Sequence, residues 1–515
     1  MDLYQLLSLL SWKVVAAMLA IYCASLACYR LFLHPLAKFP GPKLAAITRC
    51  YEGYYDLILE GQYTFKIAEM HKSYGPIIRI SPYELHILDH AFYEKLYGQH
   101  DGRDKYQWAC NGFVAPGATI WFVPRVILTS LDELHQARRS PLNHFFSKTK
   151  VAARQDVVIR NVEKLCSMLM RRVGSTINLG AAVGALVQDV QCDFILNKPY
   201  GSLDKDDFNV AIANMCQSVG NLWRFSKHFP RLGLALKSIP VEMVSKVANE
   251  DAKVFFKFLK EIDIDTERLL NTASSSGAEK DSPRTVVDEL VDSELLPTDK
   301  SLPRVLNEVQ TIVGAGLETV SGVLRLVLYH VFSNPEILQR LRAELLTVKG
   351  VSSSNDIMDL KKLEKLPYLT SIIMEALRMS PAIGSRMARI VSEDLPYEGW
   401  SIPAATPVGM TTILMHFDEK LYPEPYSFIP DRWMDIEKRK KFSKIYAPFS
   451  RGSRMCAGMY LAWADLYFTL AALALRFDFE FEGIEASDFR MVRDEFVIGV
   501  KAKSVLNCRV TMCEL

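Results

Sequence analysis

The sequence predicts a mostly α-helical fold with small β portions: one large body carrying a single N-terminal transmembrane helix. Three observations carry this. Apolar residues recur at i, i+3 and i+4 over residues 161–173, 208–219, 241–270 and 302–332, the period of helices with one buried face. The β-like runs are short and early, at 77–80 and 84–88. Residues 14–29 carry no charge and are bounded by Lys13 and Arg30.

That uncharged run is slightly short for a bilayer, but the long stems of Lys13 and Arg30 let both cations reach the interfaces. Residues 1–33 therefore read as a membrane anchor. A cleaved signal peptide would begin basic, and this chain begins Met1-Asp2; a buried core helix is the other alternative. Arg30 and Lys38 after the span place the body on the cytoplasmic side. Residues 34–42, His34-Pro35-Leu36-Ala37-Lys38-Phe39-Pro40-Gly41-Pro42, hold three prolines, which block helix and central strand alike. They predict a stiff hinge.

Residues 43–515 form the body. The one polar, low-complexity stretch, 272–284, reads as a surface loop rather than a linker, because neither half looks self-sufficient. At 515 residues, 49% hydrophobic and 23% charged, the chain can build a large core, and collagen-like, coiled-coil and wholly disordered classes are excluded. Lys and Arg number 61 against 59 Asp and Glu, a net +2, so no nucleic-acid binding by bulk charge is expected. Ten cysteines without a C-x-x-C pair read as reduced thiols, not a disulfide framework.

One cysteine stands apart. Cys456 lies in Phe449-Ser450-Arg451-Gly452-Ser453-Arg454-Met455-Cys456-Ala457-Gly458, just before an apolar helix pattern over 459–477. Free N–H groups at a helix start favour a thiolate, the form a soft iron ligand takes. Gly452 permits a sharp turn, and Gly458 leaves room for a flat ligand against the backbone.

This F-x-x-G-x-R-x-C-x-G segment resembles the haem-binding signature of the cytochrome P450 family of haem-thiolate monooxygenases. The resemblance implies the P450 fold and haem b, with Cys456 as the iron ligand, Phe449 packed near the sulfur and Arg454 on a haem propionate. Other elements follow in the family's order. Glu375 and Arg378, three apart on a helix face, are similar to its E-x-x-R pair, joined by Arg432 from Pro430-Asp431-Arg432-Trp433 to hold the Cys loop. Gly314-Ala315-Gly316-Leu317-Glu318-Thr319 resembles its oxygen-activation motif, which implies that Glu318 and Thr319 deliver protons. There the two glycines, each costing about 1 kcal/mol of helix stability, would let the helix open. His135 and Arg139, four apart, are implied propionate donors, although many relatives have tryptophan in place of His135 and Pro141 should kink or shorten that helix. Arg389 matches a further propionate arginine, with Arg386 the competing assignment.

The resemblance also implies partners. Electrons would come from NADPH through NADPH-cytochrome P450 reductase, which the basic run 437–444 helps to dock, at the endoplasmic reticulum membrane with the body in the cytosol. Substrate-facing segments would be 108–124, 208–225, Val313 and Leu317, 382–384 and 497–499. They are rich in apolar side chains, so an apolar small molecule is expected. The hinge and Leu142-Asn143-His144-Phe145-Phe146-Ser147 look similar to filamentous-fungal members of secondary metabolism, terpenoids first, then polyketides, alkaloids and aromatic acids. The alternative is a haem-thiolate isomerase or dehydratase, or a haem-binding protein without oxygen activation.

Overall fold

In the computed structural model, which describes residues 12–98, 103–110, 131–231, 249–274, 283–349, 359–502 and 504–514, helix Leu302–Phe332 is continuous over its whole length. Pro303 sits in its first turn, where a missing N–H goes unneeded. Its buried side, including Val309, Ile312, Leu324 and Leu328, joins helices Leu179–Leu196 and Met459–Arg476 in the main core. Helices Gln155–Met170, Val210–His228 and Glu250–Ser274 lie close to the expected spans.

Among the described residues three helices are long and apolar enough to cross a membrane. Leu179–Leu196 and Leu302–Phe332 have 94% and 61% of that stretch buried inside the protein, so their apolar surface is spent on the core. Trp12–Leu33, with mean hydropathy 1.8, has none buried. It is the candidate membrane anchor.

The expected β runs are strands Ile77–Ser81 and Glu84–Ile87. They form an antiparallel pair and continue through Pro407–Gly409 and Arg389–Val391 to Arg103–Lys105 in a five-stranded sheet. Its last pairing sets Lys105 opposite Arg389, which matters for the site.

One local expectation is corrected, at Pro141. Residues 34–42 are docked on the body: Leu36 and Phe39 are buried, and Phe39 stacks on Trp400 at 5.0 Å. Arg79 donates from its backbone N–H to Pro40 O (2.7 Å) and from its side chain to Arg30 O (2.8 Å), while Arg30 reaches Tyr83 Oη at 2.6 Å. Two apolar side chains inside a proline-rich run suffice to fasten it to the sheet. Helix Leu131–Phe145 runs on past Pro141; the carbonyl that Pro141 leaves without its i+4 donor belongs to exposed Ala137, where water can serve it. Nine of the cysteines, Cys456 among them, are free. Residues 275–282 of the expected loop lie outside the described residues, as do 111–124 of the first substrate-facing segment.

Candidate active site

The Cys loop is built by a turn that admits only glycine. Gly452 has φ +68°, and a Cβ there would stand 2.4 Å from Gly98 O and 2.5 Å from Tyr97 O. A short 3₁₀ turn, Gly452–Arg454, then hands the chain to Cys456, whose N–H donates to Phe449 O at 2.9 Å. Phe449 is half-buried, its ring 6.4 Å from that of Trp463. The Cys456 side chain is exposed, yet burial pushes its thiol up, against the pull of Arg139, the Gly458 N–H and Lys105. Together these mean that the sulfur opens onto an internal space, not bulk water. Desolvation opposes the Gly458 N–H at the helix start here, and a bound metal ion deprotonates such a ligand.

A cradle surrounds that space. A Cβ on Gly458 would meet nothing within 4 Å, and the same holds for Gly314. Gly314 and Ala315 are exposed in the middle of an otherwise largely buried helix. Val313 and Leu317, expected to face the substrate, are instead buried in the main core.

The cations converge as well. His135 is buried, and its Nδ1 has no hydrogen-bond partner among the described residues. Burial, then Arg454, Lys105, Arg139 and Arg389, hold its pKa down to about 2. Arg139 donates to Met455 O and to Asn143 Oδ1, both at 2.7 Å, and so touches the Cys loop directly. Arg454 pairs with Asp104 at 2.7 Å. Arg389 is 2% exposed, donates to Met387 O at 3.1 Å and lies 4.8 Å from the Tyr97 ring centre. Arg386, the competing candidate, is tied to Glu84 and Glu52 elsewhere. Arg138 is a buried partner of Asp299.

Four cations around a neutral imidazole whose Nδ1 has no partner among the described residues suit a bound dianion. A sulfur ligand, a Cβ-free cradle and an anion pocket together fit haem b.

Behind the loop, Glu375 and Arg378 are both fully buried and doubly bonded at 2.8 Å. The carboxylate also accepts from Arg432 Nε (3.1 Å), Trp433 Nε1 (2.9 Å) and the Ile429 N–H (3.1 Å). His416 was missed in the sequence. Its Nδ1 donates to Arg378 O at 3.0 Å and its Nε2 accepts from the Ala447 N–H at 3.1 Å, so it fastens the E-x-x-R helix to the approach of the Cys loop. Burial holds it neutral, at about 3, as both bonds require.

On the central helix Thr319 Oγ1 donates back to Ala315 O at 2.8 Å. Glu318 is paired with Arg325, a residue the sequence reading passed over, which also donates to Ser321 Oγ at 3.3 Å. The glycines differ in role. Gly314 faces open space, but a Cβ on Gly316 would sit 2.6 Å from the Gln191 side chain, so close packing explains Gly316. One cavity brings Glu318, Thr319 and Arg325 against Ala382 and Val497, uniting three expected segments.

A family profile for cytochrome P450 matches residues 54–505. A cytochrome P450 monooxygenase of Ascocoryne sarcoides is 36% identical over 495 residues, covering 93% of this chain and 94% of the relative. The tryptophan 6-hydroxylase of Fusarium equiseti is 34% identical over 488 residues (94% and 93%). The N-acetyltryptophan 6-hydroxylase of Emericella nidulans is 35% identical over 494 residues (94% of each). Coverage of this extent, with a Cys loop, an anion pocket and a buried E-x-x-R network in one body, leads to one conclusion: the chain belongs to the cytochrome P450 family of monooxygenases.

Proposed function

We propose that the protein hydroxylates an unactivated C–H bond of a small molecule in fungal secondary metabolism, with electrons from NADPH through NADPH-cytochrome P450 reductase. The observation that carries this is the Cys456 loop, tied to Arg139 through Met455 O at 2.7 Å, with the Nδ1 of buried His135 left without a partner among the described residues. Cys456 would hold the iron of haem b. His135, Arg139, Arg389 and Arg454 would hold the propionates, and Phe449 would cover the sulfur. Bound haem supplies the one-electron chemistry by which dioxygen is reduced.

The chain's own residues manage the proton. The Thr319 hydroxyl turns from Ala315 O toward the open stretch at Gly314–Ala315, and the Glu318 carboxyl leaves Arg325 to supply it. Residues 1–33 anchor the enzyme in the endoplasmic reticulum membrane, residues 34–42 fix the anchor to the body, and 43–515 act as the catalytic body in the cytosol.

Helix Ile436–Ser443 runs into the Cys loop with Lys438, Arg439, Lys440 and Lys441 exposed, which suits docking of an acidic reductase. Lys440→Glu with Lys441→Glu should slow reductase-supported reduction at low salt, and the difference should shrink as salt rises; an unchanged rate at low salt removes the docking role.

For the substrate, relatives named for hydroxylation of tryptophan and N-acetyltryptophan support an aromatic molecule. A terpenoid is the second reading, favoured by the apolar Leu326, Val497, Ile498 and Val500 around the Glu318 cavity. The test is turnover with purified reductase, with and without dioxygen. Product that needs both upholds the reading; product formed without either assigns the protein to redox-neutral chemistry.

A further inference from the structure

The helical stretch 50–58 is built inside out. Its first turn, Cys50–Gly53, continues directly into the wider turn Tyr54–Ile58. The only charged residues in it, Glu52 and Asp56, are 0% and 1% exposed, whereas Tyr54 is 51% and Ile58 69% exposed. Cys50 before them and Leu59 after them are on the surface as well. A helix facing water is arranged the other way, apolar stripe inward and charge outward. One exposed leucine would mean nothing; here both faces are reversed together.

Buried pairing holds the reversal in place. Glu52 accepts from Arg386 at 2.8 Å, from Arg49 at 3.0 Å and from Trp108 Nε1 at 3.2 Å, and Lys227 Nζ lies 3.1 Å from it. Asp56 lies 2.5 Å from Lys227 Nζ and 3.0 Å from His228 Nε2. A carboxylate is costly to bury unless it is paired in this way. The network satisfies its own charges, and it leaves none on the outer side of residues 50–59.

This face is continuous with the candidate membrane anchor. Arg30 donates to Ile47 O, which sets the end of the anchor, with Phe32 and Leu33 exposed, against helix Lys43–Ile47. Leu44 on that helix is exposed too. On the far side helix Val210–His228 packs against Tyr54–Ile58 and is followed by exposed Phe229. Apolar side chains grouped on this scale mark a lipid or protein contact. An acidic reductase would find no cation on the outer side of 50–59, whereas the anchor brings this side to lipid, where a tyrosine suits the headgroup level.

We propose that the outer face of residues 50–59, with Leu44 and Phe229 at its edges, sits in the lipid surface beside the anchor, so that the body lies on the bilayer instead of standing off it. The proposal rests on the reading of residues 1–33 as a membrane anchor and adds a second contact to it. It is tested on the full-length, haem-loaded protein in phosphatidylcholine vesicles, with and without bromine on the acyl chains near the headgroup, which quenches tryptophan on contact. The variants are Ile58→Trp and Tyr54→Trp, with Ile436→Trp as the control, since Ile436 is 70% exposed on another helix. Wild-type emission is subtracted from each.

The emission added by Ile58→Trp and by Tyr54→Trp should be mostly lost in brominated vesicles, while that added by Ile436→Trp stays. The proposal is overturned where Ile58→Trp is quenched no more than Ile436→Trp. It is equally overturned where Ile58→Trp is shielded from both brominated lipid and aqueous iodide, which would place a protein partner or a second copy on this face. Trp12, read as the emission lost in Trp12→Phe, reports the anchor separately. Quenched Trp12 beside unquenched Ile58→Trp strikes this face alone; unquenched Trp12 strikes the anchor reading beneath it.

Discussion

Glu318 and Arg325 show what one side chain can decide. The carboxylate expected to supply protons is held along its own helix by a nearly buried guanidinium seven residues on, so proton supply requires the pair to part. Glu318→Gln should cut product formation about 10²-fold with substrate Kd unchanged; equal turnover would remove the proton role. Gly452 decides the shape of the Cys loop. Gly452→Ala forces a Cβ into the Gly98 and Tyr97 carbonyls at a positive φ, and should lower haem incorporation severalfold, read as the ratio of haem to protein absorbance. Cys456, Gly452, Arg139, Arg389 and Arg454 were singled out in sequence because the chemistry demands particular residue types, whereas Lys105 was not. Arg325 and His416 were not. Their partners lie across a helix turn or 38 residues away, and nothing local in either residue signals that bond.

At the scale of elements, buried histidines lock the sheet to its surroundings. His71 Nδ1 donates to Gly75 O (2.7 Å), His86 Nδ1 donates to His71 Nε2 (2.7 Å), and Thr411 donates to His86 Nε2 (2.9 Å). The chain closes with both rings neutral. Burial lowers His71 to about 4 and holds His86 well below the ordinary imidazole value, so below about pH 6.5 the unfolded chain takes up protons first. The contribution of His71 is complete above that pH and is lost as pH falls toward 4, about 3 kcal/mol in all. Chemical denaturation from pH 7 to 4 measures it, and His71→Gln should flatten the slope; an unchanged slope would place the acid sensitivity elsewhere. The helices and first strands were legible from period and length. The docked hinge and the helix running through Pro141 were not, because tertiary burial of Leu36 and Phe39, and solvent at Ala137, override the local preference of proline.

Over the whole molecule, an apolar N-terminal helix is fixed to the body through Arg30, the sheet carries cations to one edge of an internal space, and the E-x-x-R network braces the Cys loop from the other side. Balanced net charge hides this arrangement, because its force lies in where the charges are buried. The account turns on Cys456 as the iron ligand. The direct measurement is the carbonyl spectrum of the reduced protein, wild type against Cys456→Ser. Wild type should give the red-shifted band of a thiolate complex, and the variant should lose both that band and reductase-supported turnover. A variant that keeps the thiolate band and full turnover would contradict the assignment.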